Sequence, residues 1–212
     1  RKLIRYAVTT APLCSLPLIK YSVEDDLHDE PEMLAEVVLP RGDEIIRLID
    51  REIGDHGDLN VAAQREDFVQ QLEKFLRSPA FTYSLTTPKI PPGHEPVGEF
   101  LLEHRQGHCE YFASAMVLAC QLKGVPARLV SGYCGGDYNP VGGFLVVREK
   151  HAHAWVEVFI PDKGWVVYDP TPAGSRFVAP AKTWLSSARG IFDFVDYLQF
   201  QWAGLVVAYD AA

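Results

Sequence analysis

The chain has 212 residues with 28 acidic and 20 basic side chains, and therefore a formal net charge of −8. Hydrophobic residues make up 48% and charged residues 23% of the sequence, a composition that excludes a disordered or fibrous chain. The acidic balance argues against a nucleic-acid partner, and no apolar run reaches the roughly 18 residues that a membrane-spanning helix needs. We therefore expect these residues to be soluble and globular.

The first third of the chain is predicted to contain a strand, a long loop and two helices. The β-branched and aromatic residues of segment 1–10 favour a strand, and the proline-punctuated segment 11–42 favours an extended loop. From Asp43, apolar residues recur at helical spacing until Gly54 ends the helix. The same pattern over Val61–Leu76 predicts a second helix.

The rest of the chain changes from helices to strands. After a short strand at residues 81–85 and a proline-rich loop, helical periodicity predicts helices over Val97–His104 and Cys109–Lys123. Beyond Gly124 the period changes to two, which is typical of strands. Helices followed by an antiparallel sheet indicate an α+β fold. An amphipathic helix over residues 191–209 is expected to dock on the core. The four predicted strands are Arg128–Tyr133, Phe144–Val147, His153–Ile160 and Trp165–Asp169.

Cys109 is the candidate nucleophile. It stands at the start of a predicted helix, where the helix dipole lowers the pKa of a thiol and favours the thiolate. Ala113, Met116 and Cys120 continue one apolar stripe, which predicts a helix buried against the sheet with only its first residue reaching solvent. A lone cysteine is usually a small buried hydrophobic residue, so a catalytic interpretation depends on its partners.

The partners come from two later segments, HAHAWVEV and GWVVYDPT. Residues two apart in a strand share a face, so His151, His153 and Trp155 are predicted to point the same way. An imidazole beside a tryptophan is suited to a shielded general base, and Asp169 on the neighbouring strand can hold its other nitrogen. The order cysteine, histidine, aspartate is one that a nucleophilic enzyme can use.

Four ordered motifs resemble the core of the transglutaminase-like superfamily. They are GHCEYFASA (107–115), GVPARLVSGYCGG (124–136), AHAWVEV (152–158) and GWVVYDPT (164–171). The pattern is most similar to the bacterial TgpA type, in which this domain is the extracytoplasmic part of an integral membrane protein. The resemblance implies a papain-like α+β fold, with the nucleophile at a helix N-terminus packed on an antiparallel sheet.

The resemblance also implies an activity and a location. Cys109 would be the nucleophile, His153 the base and Asp169 the residue that orients the histidine, with no cofactor and no metal. The reaction would be acyl transfer from glutamine side chains of a protein or peptide to lysine or other primary amines. The domain would be periplasmic and belong to a membrane-anchored protein. The expected domain is single over 1–212, with a strand, loop and helices in 1–80, the catalytic core in about 81–175 and an extension in 176–212.

Two histidines depart from the family pattern. His108 stands where the family more often has an aromatic residue, and His151 stands where it often has an acidic one. Either imidazole could compete for the role of the base, but the Ala-Trp context favours His153. For the oxyanion hole, the backbone N–H of Cys109 is one donor and the hydroxyl of Tyr83 is the candidate second donor. Ordinary aromatic packing is an equally open interpretation of Tyr83.

Two other functions are compatible with the same residues. A cysteine protease or amidase would use the same triad with water as the acceptor, and an inactive envelope-binding module would not use it at all. The chain begins at Arg1 without a signal peptide, so we expect a piece of a longer protein. Cys14 and Cys134 could pair outside the cytoplasm, but their spacing does not decide this. The natural substrate and the oligomeric state do not follow from the sequence.

Overall fold

The computed structural model describes residues 41–92, 94–172 and 189–207. The predicted strand over 1–10, nearly all of the predicted loop over 11–42, and Cys14 lie outside these residues. The elements in chain order are α1 (Gly42–Ile53), α2 (Ala62–Leu76), β1 (Thr82–Tyr83), α3 (Pro96–Glu99), a π-helical turn (Phe100–His104), β2 (Gln106–Gly107), α4 (Cys109–Leu122), β3 (Ala127–Tyr133), β4 (Asp137–Asn139), β5 (Phe144–Val146), a 3-10 turn (Glu149–His151), β6 (Ala152–Ile160), β7 (Gly164–Tyr168) and α5 (Arg189–Val207).

Contacts divide the described residues into two compact units. The larger unit comprises residues 41–92, 94–132 and 153–172, and the smaller unit comprises residues 133–152 and 189–207. The single domain expected over 1–212 stays a prediction.

The core of the larger unit contains the apolar faces of α1, α2, α4 and β6. α4 is buried along the stripe predicted from the sequence, since Ala113, Met116 and Cys120 have no exposed surface. β6 is also fully buried at Val156 and Ile160, and only its first residue, Ala152, is exposed. This packing fixes the start of α4 relative to the sheet. The bulkiest aromatic side chains with at most 2% exposure are Phe68, Phe100 and Phe112.

β6 is the central strand of a three-stranded sheet, with β3 on one side and β7 on the other. β6 and β7 are antiparallel, and their residue pairs run from Val156↔Tyr168 to Ile160↔Gly164. Asp162 in the connecting turn has a positive φ of 66°, which a short polar side chain tolerates better than a branched one. The strands predicted over 153–160 and 165–169 are confirmed as this antiparallel hairpin, and the α+β fold is confirmed as well.

The helix predicted over residues 97–104 is regular only in its first part. α3 gives way to a π-helical turn over Phe100–His104, in which the N–H of Arg105 donates to the carbonyl of Phe100 at 2.9 Å. Arg105 then adopts a left-handed conformation with φ 49° and ends the helix. Apolar periodicity does not report such a turn, because the π-helical turn is the end of the helix and no later helical residues show a change of phase.

The strand predicted over residues 81–85 is shorter than expected. Only Thr82–Tyr83 is extended, and it pairs in parallel with Gln106–Gly107. The strand ends because the hydroxyl of Ser84 bonds both the carbonyl of Thr86 at 2.9 Å and its N–H at 3.1 Å. Such side-chain bonds give the backbone an alternative to sheet pairing.

The smaller unit contains the β4–β5 hairpin, the 3-10 turn and α5. A helix is confirmed within the segment predicted over 191–209: α5 reaches Val207, the last described residue, and its Phe200 ring stacks on Phe144 of β5 at 4.6 Å. Its expected docking on the core stays a prediction. Strand β4 was not predicted, because three residues are too few to show an alternating pattern. Cys134 has a free thiol. Within the described ranges, no helix combines the length and hydropathy of a membrane span.

Candidate active site

Cys109 is the first residue of α4, as predicted, and is partly exposed. His108 precedes it in an extended conformation, so the chain enters the helix directly from β2. Gly107 makes this close entry possible, because a Cβ at that position would lie 2.8 Å from the Cβ of Tyr111. The sulfur is thus placed at the end of the helix where N–H groups are unpaired and the dipole favours an anion.

The structure brings Cys109, His153 and Asp169 together. Nε2 of His153 lies 2.7 Å from Oδ2 of Asp169, and the same imidazole hydrogen-bonds to the Cys109 side chain. Since Nε2 contacts the carboxylate, Nδ1 is the ring nitrogen that remains for the sulfur. His153 is 8% exposed and the Asp169 side chain 15%, so both interactions are largely shielded from water.

The electrostatics of this group favour a thiolate–imidazolium pair. Burial alone raises the pKa of Cys109, but the hydrogen bond from His153 and the backbone N–H groups of Ala154 and Glu110 outweigh it and lower the pKa below the usual value. Burial alone lowers the pKa of His153, but the hydrogen bonds to Asp169 and Cys109 raise it to about 9. The opposite shifts favour the state in which the sulfur has lost its proton and the imidazole holds one.

Trp155 shields this pair from one side. Its ring is 7% exposed and stacks on His153 with 6.4 Å between centroids and 24° between planes. Room for the indole comes from Gly132 on β3, where a Cβ would lie 2.8 Å from Cη2 of the tryptophan. Among the described residues, the buried indole N–H has no hydrogen-bond partner. The sequence prediction of a histidine shielded by tryptophan is therefore confirmed in its geometry.

Tyr83 lies close to Cys109 in the larger unit. β1 pairs Tyr83 with Gly107, two residues before Cys109. Its ring stacks on Phe112 at 6.5 Å, which agrees with the packing interpretation. Burial is the main cause that raises the pKa of the Tyr83 phenol, and the charge of Cys109 raises it further. The hydroxyl, which is near the sulfur, therefore keeps its proton. Both interpretations of Tyr83 fit this placement.

The two additional histidines have other contacts. His108 packs edge-on against Tyr111 at 5.1 Å. The sequence predicts that His151 lies on the same strand as His153. In the structure it lies in the 3-10 turn instead, and β6 begins one residue later. Its Nδ1 accepts a hydrogen bond from the backbone N–H of Arg148 at 2.9 Å, so the N–H group that precedes the turn has an acceptor. The prediction that His151 and His153 share a strand face is therefore wrong, because a local hydrogen bond turns the chain at His151.

The sequence reasoning missed the residues that contact Asp169 from elsewhere in the chain. The N–H of Asp169 donates to the carboxylate of Glu73 at 3.0 Å, across 96 positions of sequence. Glu73 belongs to α2, where a glutamate on a partly exposed face is ordinary, so no sequence signal marks it. Among the described residues, no three histidine, cysteine, aspartate or glutamate side chains are grouped to hold a metal ion.

A sequence model of the transglutaminase-like superfamily matches residues 56–170, which include all three interacting side chains. The chain belongs to the transglutaminase-like superfamily. Two relatives match this transglutaminase-like chain well. The protein-glutamine gamma-glutamyltransferase of Pseudomonas aeruginosa is 43% identical over 47% of the chain, and the uncharacterized protein YebA of Bacillus subtilis is 41% identical over 55%. The chain spans 14% and 16% of the length of these two proteins.

A solved structure supports the fold of this transglutaminase-like chain. The periplasmic domain of TgpA from Pseudomonas aeruginosa, bound to ethylmercury, superposes with a TM-score of 0.56 and 34% identity. The match covers 66% of this chain and 48% of that domain. The resemblance read from the four motifs is confirmed at the level of family and fold.

Proposed function

We propose that this transglutaminase-like domain transfers acyl groups from protein glutamine side chains to primary amines, as a protein-glutamine gamma-glutamyltransferase. The observation that carries the proposal is the contact of Cys109 and Asp169 with the two sides of one buried imidazole, at the N-terminus of α4. The similarity to the protein-glutamine gamma-glutamyltransferase of Pseudomonas aeruginosa supports the choice of reaction.

The first half-reaction forms a thioester. The Cys109 thiolate attacks the side-chain amide carbon of a glutamine, and the carbonyl oxygen becomes an oxyanion. The protonated imidazole of His153 gives its proton to the departing amide nitrogen, the C–N bond breaks and ammonia leaves. The raised pKa of His153, about 9, keeps this proton available at neutral pH.

The second half-reaction consumes the thioester. The neutral His153 accepts a proton from a primary amine as the amine nitrogen attacks the thioester carbon. The C–S bond breaks, an isopeptide bond forms, and the pair of thiolate and imidazolium is restored. Water in place of the amine would give deamidation. Asp169 stabilises the charged imidazole through Nε2 in both halves.

The oxyanion needs hydrogen-bond donors at the end of α4. We assign this role to the backbone N–H of Cys109 and the hydroxyl of Tyr83. The raised pKa of the Tyr83 phenol supports this role, because only a protonated hydroxyl can donate. By analogy with the periplasmic domain that it resembles, we propose that the domain acts outside the cytoplasmic membrane as part of an anchored protein.

The test is incorporation of a dansylated amine into a glutamine-containing protein. We expect incorporation by the wild type and none by Cys109→Ala, since the thioester cannot form without the sulfur. Stability should change little, because the substitution removes one partly exposed atom at a helix end. Cys134→Ala is the matched control and should remain active, since this free thiol lies in the smaller unit. Retained incorporation by Cys109→Ala would refute the proposed nucleophile.

Other outcomes identify the other functions. New N-termini without amine incorporation would identify a protease. Failure of iodoacetamide to label Cys109 faster than Cys134 at neutral pH would favour an inactive binding module.

A further inference from the structure

Both carboxylate oxygens of Asp169 are engaged in the larger unit. Oδ2 lies 2.7 Å from Nε2 of His153, and Oδ1 accepts the N–H of Thr171 at 3.0 Å. Asp169 follows the last paired residue of β7, because the ladder with β6 ends at Val156↔Tyr168. Its orientation therefore depends on contacts outside that ladder.

Glu73 of α2 and Arg77, which directly follows the last residue of that helix, supply such contacts. The carboxylate of Glu73 accepts the backbone N–H of Asp169 at 3.0 Å. One helical turn later, Nε of Arg77 donates to the carbonyl of Thr171 at 3.4 Å, and its guanidinium lies 3.5 Å from the Glu73 carboxylate. The helix thus contacts the backbone on both sides of Pro170. We call these two side chains the Glu73–Arg77 clamp.

The clamp is attached to a rigid support. α2 buries Leu72 and Leu76 completely in the core. Leu72 directly precedes Glu73 in the sequence, and Leu76 directly precedes Arg77. The Glu73 side chain is 20% exposed, so water competes only in part for its hydrogen bond. An Asp-Pro-Thr turn without these contacts would have to hold the Asp169 backbone by its own turn geometry.

We propose that Glu73, assisted by Arg77, is a positioning residue that keeps the Asp169 carboxylate on Nε2 of His153. The proposal rests on the roles assigned to Cys109, His153 and Asp169 under the proposed function. Its electrostatic consequence has a definite sign. A displaced carboxylate stabilises the imidazolium less, so the pKa of His153 falls, and the Cys109 thiolate loses part of its cationic partner, so the pKa of Cys109 rises.

The test measures the rate of iodoacetamide alkylation at Cys109 against pH, read by peptide mass spectrometry, beside amine incorporation. In Glu73→Ala we expect the rise of alkylation with pH to move to higher pH. We also expect kcat to fall roughly 10- to 100-fold with KM little changed, as misplaced catalytic groups do. Glu73→Gln keeps an acceptor oxygen for the Asp169 N–H and should retain most of the activity and the wild-type pH profile.

Glu66→Ala is the matched control. Glu66 lies on the same helix and pairs with Lys163 in the β6–β7 turn at 2.6 Å, so its removal also breaks one contact between α2 and a turn. A general loss of helix docking would affect both alanine variants equally. We expect only Glu73→Ala to shift the pH profile, whatever each variant does to the melting temperature.

Three results would overturn the proposal: an unshifted profile in Glu73→Ala, an equal shift in Glu66→Ala, or a Gln variant as impaired as the Ala variant. If Glu73→Ala does not fold, Arg77→Ala carries the test and should shift the profile in the same direction by a smaller amount; no shift there would overturn the proposal. Alkylation requires no acyl donor or acceptor. A protein that alkylates as expected but incorporates no amine would therefore refute the proposed function and leave the clamp supported.

Discussion

At the scale of single residues, the two histidines of HAHAW have different surroundings. His153 is held between Cys109 and Asp169, whereas Nδ1 of His151 accepts the N–H of Arg148 and its Nε2 lies 3.8 Å from Asp137. The second imidazole therefore serves the 3-10 turn of the smaller unit.

We expect His153→Ala to lose acyl transfer almost completely, because neither the ammonia leaving group nor the incoming amine would have a proton partner. His151→Ala should keep most of the activity and lose some stability, since the N–H of Arg148 is left without its acceptor. Rates of amine incorporation per folded molecule compare the two variants. Equal losses, or a larger loss for His151→Ala, would contradict the assignment of His153 as the base.

Asp169→Asn tests orientation separately from folding. The N–H of Thr171 selects Oδ1 as the acceptor oxygen, so an asparagine in the same turn would present its NH₂ group to Nε2 of His153. Nε2 would then have to accept, which favours the wrong tautomer. We expect transfer to fall by up to about 10⁴-fold, by comparison with the serine-protease triad, while Cys109 can still be alkylated. The melting temperature is measured on the same sample. A folded Asn variant with near-normal turnover would remove Asp169 from the proposed triad.

At the scale of elements, the site depends on how closely β3 approaches β6. Gly132 of β3 has no side chain where the Trp155 indole lies, and the indole in turn stacks on His153. A small change on one strand is therefore transmitted to the imidazole through a buried ring.

We expect Gly132→Ala to impair both stability and activity. The added Cβ would lie 2.8 Å from Cη2 of Trp155, and a buried indole cannot move aside without displacing its neighbours. Overpacking of this kind costs roughly 1–3 kcal/mol of unfolding free energy. Gly190→Ala in α5 is the control, because no atom of the described residues lies within 4 Å of the added Cβ and alanine favours a helix. Chemical denaturation and amine incorporation together decide the result, and a fully active Gly132→Ala would contradict this packing argument.

At the scale of the whole molecule, the accuracy of the sequence predictions follows the range of the interactions. The stripe from Ala113 to Cys120 and the alternation along β6 are local patterns created by one buried core, so the helices and the hairpin could be read from the chain. Family motifs brought Cys109, His153 and Asp169 into one hypothesis. The contact of Glu73 with Asp169 joins residues 96 positions apart through a backbone N–H, and no pattern of side chains encodes it.

We predict that the chain unfolds in one cooperative transition. At 133–152, 190 and 192–202, where the side chains of the smaller unit are described, no hydrophobic side chain is buried, whereas the buried apolar cluster seen among the described residues lies in the larger unit. A unit without a core of its own is not expected to be stable alone. Thermal unfolding followed by far-ultraviolet circular dichroism and by tryptophan fluorescence should give coincident midpoints. Two separated transitions would show two independent domains instead of the expected single one.

The partly exposed thiolate at Cys109 also has a consequence for redox chemistry. Peroxides oxidise the thiolate form of cysteine, which the lowered pKa of Cys109 favours. The first product is a sulfenic acid, which thiols can reduce, and further oxidation gives acids that thiols cannot reduce. Cys120 on the same helix offers no protection as a resolving thiol, since it is fully buried and burial raises its pKa to about 12. The surroundings that lower the pKa of Cys109 therefore also make it sensitive to oxidants, and Cys120 cannot return its sulfenic acid to the thiol.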